Sequence, residues 1–144
     1  MAPITRAWLD FAAQASMVLV LRGVEYRCWR CTGTTVAPAL IHPEGLGFAG
    51  VAVDLSDEPA LGYARDVLAL EGHPIAATVR PRWSRTAQST YLSCGCLWCD
   101  ALFGRFFIEE MVSAARACEE IGGLPVLAQT RRPLIEWWLM QACG

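Results

Sequence analysis

Lysine is absent from the 144 residues, and all twelve basic side chains are arginine, a bias we ascribe to GC-rich codon usage rather than to chemistry. Charge of either sign is scarce, at 18% of the chain, and the formal net charge is −2. Nucleic-acid binders draw most of their affinity from neutralising phosphates, so this balance disfavours nucleic acid as a partner unless through a local arginine patch. Long apolar runs are missing too. The longest, Met17 to Leu21, falls far short of the roughly 20 residues that span a bilayer, which argues against a membrane segment. Asp10, Gln14 and Ser16 interrupt the early apolar residues, so no signal peptide is read. Cysteine comes as seven, an odd number that cannot complete a disulfide framework within one chain. A reducing, cytoplasmic setting is expected. Histidine is limited to His42 and His73, each beside a proline, and both are expected in solvated loops.

What the chain does have is apolar surface. Hydrophobic residues make up 54% of it, more than a typical domain carries, and part of that surplus is expected to meet a protein partner or a second copy. The length suits a single domain over residues 1–144 with a core of its own.

Helical spacing of Trp8, Leu9, Phe11, Ala12 and Ala15 predicts a helix from Thr5 to about Ser16. Met17–Leu21 reads as a strand, Arg22-Gly23 as a bend or bulge, and Val24–Arg27 as strand again. Thr34–Ala37 is the expected return strand, with Ala39–Ile41 prolonging it at an edge that tolerates Pro38. A strand is expected from Phe48 to Leu55, then a helix from the Ser56-Asp57-Glu58-Pro59 start to about Leu70, stopped by Gly72. Ile75–Arg82 reads as a strand, Ser84–Thr90 as a turn and Tyr91–Ser93 as a short strand. Helices over Glu109–Ile121 and Arg132–Gln141, with a strand at Leu124–Ala128, complete the reading.

The chemistry centres on cysteine. Cys28-Trp29-Arg30-Cys31 and Cys96-Leu97-Trp98-Cys99 are the two C-x-x-C pairs. Each such turn converges two thiolates, and two turns facing each other complete the tetrahedral shell that Zn2+ accepts. Cys28, Cys31, Cys96 and Cys99 are therefore the expected ligands, with Cys94 as a neighbour or reserve, and Cys118 and Cys143 as residues without partner spacing. Four thiolates leave no open position for a catalytic water. A nominal acid–base pair, His42 with Glu25 or Asp54, has no motif behind it.

Ser84, Thr86, Tyr91, Cys96, Cys99, Ala101, Leu102, Gly104, Phe106 and Phe107, with the early Cys28-Trp29-Arg30-Cys31, carry a resemblance. Over them the chain resembles a widespread class of small, largely uncharacterised bacterial zinc-ribbon proteins. The resemblance implies zinc binding and brings no activity with it. Two departures stand out: Cys94 where the class has asparagine, and Asp100 where it has glycine. That glycine suits a left-handed backbone position, which aspartate tolerates better than most residues.

The fold expected is α+β, a zinc ribbon embedded in a mainly antiparallel sheet with two or three covering helices. Trp29, Arg30, Trp98, Arg105, Trp137 and Trp138 are the candidate interaction surface, because tryptophan buries a large area while keeping one N–H donor. Arg80, Arg82 and Arg85 lie near the same segments and extend a candidate anion-binding face. The function expected is a zinc-binding, non-enzymatic interaction or accessory protein. The alternatives are a nucleic-acid-binding ribbon and a small-molecule binder or enzyme with a pocket between sheet and helices.

Overall fold

The computed structural model describes residues 3–45 and 51–142. Within them the chain runs α1 (Arg6–Gln14), β1 (Ser16–Arg27), β2 (Thr34–Pro43), β3 (Val53–Asp54), α2 (Glu58–Leu70), β4 (Arg80–Ser84), β5 (Ser89–Gly95), β6 (Leu102–Phe103), α3 (Arg105–Ala117), β7 (Val126–Pro133) and α4 (Leu134–Ala142). The class is α+β and every strand pairing is antiparallel, as expected, but the strands divide into two sheets of order β3-β2-β1-β7 and β4-β5-β6. Four α-helices are described, one near each helical stretch read from the sequence.

The long β1 lies at the centre of the first sheet because its apolar residues serve both of its halves. Leu19, Leu21 and Val24 are buried, and the register shifts between Arg22 and Gly23 against β2, where the dipeptide predicts a bulge. Pro38 sits opposite Gly23 and is buried, and among the described residues β2 has no second partner strand at that point, the edge position expected for it. Its missing donor is tolerated because β3 is short and pairs only with Leu40 and Ile41. The start of the strand expected from Phe48 lies outside the described residues.

Thr5 caps α1 by accepting from the Trp8 amide, as its side chain predicts. In α2, Leu61, Ala64, Val67 and Leu68 turn to the core, and Gly72 at φ +69° ends the segment. Ile75–Arg82 is not one strand. Pro74 opens a 3₁₀ turn over Pro74–Thr78, the His73 ring accepts the Ile75 amide, and Thr78 closes the turn on the Ile75 carbonyl. The β structure begins only at Arg80.

The third helix starts four residues earlier than its periodicity suggests. Gly104 is extended at the N-cap, and Phe106 and Phe107 enter the first turn facing outward, while Ile108, Val112 and Ala115 face in. The apolar stretch Leu102–Ile108 thus splits between strand and helix. At the far end, β7 runs on to Pro133, whose ring closes the strand before α4. One core cluster joins β1, β2, α2, β5, α3 and α4 through residues such as Leu21, Leu40, Leu68, Cys94, Val112 and Trp137. No described helix is long and apolar enough to cross a membrane.

Candidate metal centre

Both C-x-x-C pairs occupy turns, and each turn belongs to a different sheet. Cys28–Gly33 links β1 to β2, and Cys96–Ala101 links β5 to β6. The two turns are built alike. The Cys28 amide donates to the Gly33 carbonyl and the Cys96 amide to the Ala101 carbonyl, each at 2.9 Å. Four residues on, the Thr32 and Asp100 amides return to the Cys28 and Cys96 carbonyls at 3.0 and 2.9 Å. Both of those residues take left-handed backbone, at φ 61° and 64°. The Arg30 amide points at Cys28 Sγ and the Trp98 amide at Cys96 Sγ, each at 3.4 Å. Such N–H groups stabilise thiolates and fix their direction.

The turns face each other so that the sulfurs of Cys28, Cys31, Cys96 and Cys99 all lie within 4.8 Å of one another. Cys28 and Cys99 approach to 3.5 Å and Cys31 and Cys96 to 3.6 Å. A tetrahedral zinc with bonds of about 2.3 Å sets its sulfurs about 3.8 Å apart, so this donor set fits a metal such as zinc. Cys28 and Cys96 are buried with Ala101 in a small cluster apart from the main core, and Cys99 packs against it. The Ala101 amide, with help from Cys28 and Arg30, holds the Cys99 thiol down to about 6.

Cys94 lies outside this group. It is buried in the main core opposite Phe103, and burial pushes its thiol up to about 12, as befits a small hydrophobe. Cys118 is exposed at the end of α3, and Cys143 lies outside the described residues.

A crossed pair of hydrogen bonds, not visible from spacing, ties the turns together. Trp29 Nε1 donates to the Leu102 carbonyl at 3.0 Å, and Trp98 Nε1 donates to the Thr34 carbonyl at 2.8 Å. Each acceptor opens the strand that leaves the opposite turn. Gly33 makes room for this, since a Cβ there would stand 2.9 Å from Trp98 Cδ1. Around the second turn, Arg80 and Arg82 both pair with Asp100, and Arg82 also donates to the Ser93 carbonyl at 2.8 Å. A Cβ at Gly95 would meet the Arg82 guanidinium, so a side chain there would push that group away from Asp100 and the Ser93 carbonyl.

The six residues read as an interaction surface separate. Trp29 and Trp98 are 70% and 67% exposed despite their bonded indole nitrogens. Arg30 donates to the Cys99 carbonyl and Arg105 lies 5.5 Å over the Tyr91 ring. Trp137 is buried in the core, because β7 and α4 fold its segment inward, and Trp138 is half-buried against Trp8 with ring centroids 5.0 Å apart. Arg80 and Arg82 are committed to Asp100 rather than offered to an anion.

His42 is not in a solvated loop. It lies on β2, only 1% exposed, donating from Nδ1 to the Pro43 carbonyl and accepting from Arg22 Nε at 2.9 Å. Burial pushes its pKa down. With both ring nitrogens engaged, Glu25 exposed and Asp54 paired to Arg116, the nominal acid–base pair does not assemble. Compared with protein-family models, curated proteins and solved structures, the chain matches none. The four-cysteine cluster is consistent with a zinc-ribbon-like metal site.

Proposed function

We propose that Cys28, Cys31, Cys96 and Cys99 hold one structural Zn2+, and that the chain is a zinc-stabilised accessory protein that works by binding a protein partner without chemistry of its own. The observation that carries the reading is the pair of matched turns, from separate sheets, that bring four sulfurs within 4.8 Å. Four thiolates saturate a tetrahedral ion, so zinc held here supplies cohesion and has no position for substrate. The exposed tryptophans beside the site are the kind of residue that anchors protein interfaces.

Elemental analysis of the purified full chain, with thermal unfolding before and after a strong chelator, tests this. The expected result is about one zinc per chain and a large loss of stability on chelation. Metal-free protein of unchanged stability sinks it.

A further inference from the structure

Beside the cysteine cluster, a groove of about 510 Å³ lies between the turn joining β4 to β5 and the start of α3. Trp29, Tyr91, Phe106 and Phe107 give it aromatic walls, and Arg85 and Arg105 give it charge. Three of those rings are open to solvent, Trp29 at 70%, Phe106 at 68% and Phe107 at 56%. Exposed apolar groups gathered around one concavity mark a binding surface far more often than scattered ones do.

The arginines say what the occupant carries. Each of the other ten arginine side chains, of twelve in all, donates a hydrogen bond or ion pair within the chain. Arg85 and Arg105 donate none among the described residues, and no carboxylate lines the groove. A locally basic, aromatic trough therefore stands on a chain whose net charge is −2. Its complement is apolar side chains flanked by carboxylates. A nucleic-acid strand fits less well, because tracking its backbone takes a line of cations, and the nearby Arg80 and Arg82 are already bound to Asp100.

We propose that this groove docks an acidic peptide segment of the partner protein, with leucine or aromatic anchors among Trp29, Phe106 and Phe107 and carboxylates on Arg85 and Arg105. The proposal rests on the partner-binding reading above and adds to it a face and a chemistry. Neither arginine donates a hydrogen bond within the described chain, and Arg105 only lies over the Tyr91 ring, so the double variant Arg85→Glu/Arg105→Glu should keep its metal and melt within a few degrees of the wild type.

The zinc-loaded full chain is panned against a phage-displayed library of random dodecapeptides, with the double variant in parallel and metal content and melting measured on both. The wild type should enrich peptides rich in Asp or Glu around Leu, Phe or Trp. Synthetic copies should bind the double variant at least about tenfold more weakly, and bind the wild type more weakly at high salt. Peptides enriched equally by both proteins, or a basic consensus, would overturn the groove while leaving a protein partner in place. No enrichment at all would overturn both the groove and the partner reading, with the metal measurement still judging the zinc. Oligothymidine or oligouridine that binds the wild type and not the double variant would replace the peptide with a nucleic acid.

Discussion

Thr32 and Asp100 fill the same place in their turns and suit it differently. Both adopt left-handed backbone, which costs an L-residue about 1–2 kcal/mol, least for asparagine and aspartate and most for β-branched side chains. Thr32→Asn should therefore stabilise the protein by about 1 kcal/mol in denaturant unfolding, whereas Asp100→Thr should destabilise it and release Arg80 and Arg82. At the proposed ligands, Cys28→Ser or Cys99→Ser should lose zinc and most of the fold, while Cys118→Ser leaves zinc content unchanged. Cys94→Ala should keep its zinc and cost about 1 kcal/mol of packing. Zinc loss in the Cys118 variant would mean the ligands are paired wrongly. His42 carries a pH dependence. Its folded pKa lies below the unfolded value of about 6.5, so its stabilising effect is complete above that value and declines as pH falls toward the folded pKa. Unfolding free energy should thus fall on acidification from neutral pH, and His42→Gln should flatten that slope. An unchanged slope would assign it to other groups.

At the scale of elements, the two turns act as one joint because each tryptophan bonds to the strand leaving the other. Trp29→Phe and Trp98→Phe keep an aromatic ring but lose the indole N–H and part of its face, so each should cost at least about 1 kcal/mol. The two effects should fall short of additive in a double-mutant cycle if the joint is cooperative. Gly33→Ala should mimic the loss of the Trp98 bond by displacing its ring. Much at this scale was legible beforehand. Cap and stop residues marked α2, and C-x-x-C spacing marked both turns, because those signals are local. The 3₁₀ turn over Pro74–Thr78 escaped because β-compatible residues such as Ile75 and Val79 masked the His73 cap. The start of α3 escaped because Phe106 and Phe107 extend an apolar run although they face solvent. His42 read as a loop residue because Pro43 follows it, while its burial depends on Arg22 from the neighbouring strand. The crossed indole bonds join residues 73 and 64 positions apart, a distance over which spacing carries no signal.

At the scale of the molecule, a metal at the four cysteines fastens one sheet to the other. The sulfur pairs it would join are separated by 65 and 71 positions. By analogy with a disulfide, closing a loop of that length restricts the unfolded chain by roughly 4 kcal/mol, a large share of a domain's usual stability. Chelation should lower unfolding free energy by at least about that much, and limited proteolysis should then open the β1–β2 and β5–β6 turns together. Cleavage at one turn alone would show that the sheets hold without the metal.

The same separation governs how the protein is born. Cys31 leaves the ribosome 65 residues ahead of Cys96, which at roughly 5–20 residues per second leaves the first thiol pair waiting on the order of 3–13 s for its counterpart. During that interval the nascent chain presents two bare thiols and half of a coordination shell, open to oxidation or to capture by another soft metal. Metal selection is thereby delayed until the second thiol pair has been synthesised. Chains arrested just before Cys96 should retain zinc far more weakly than chains arrested beyond Cys99.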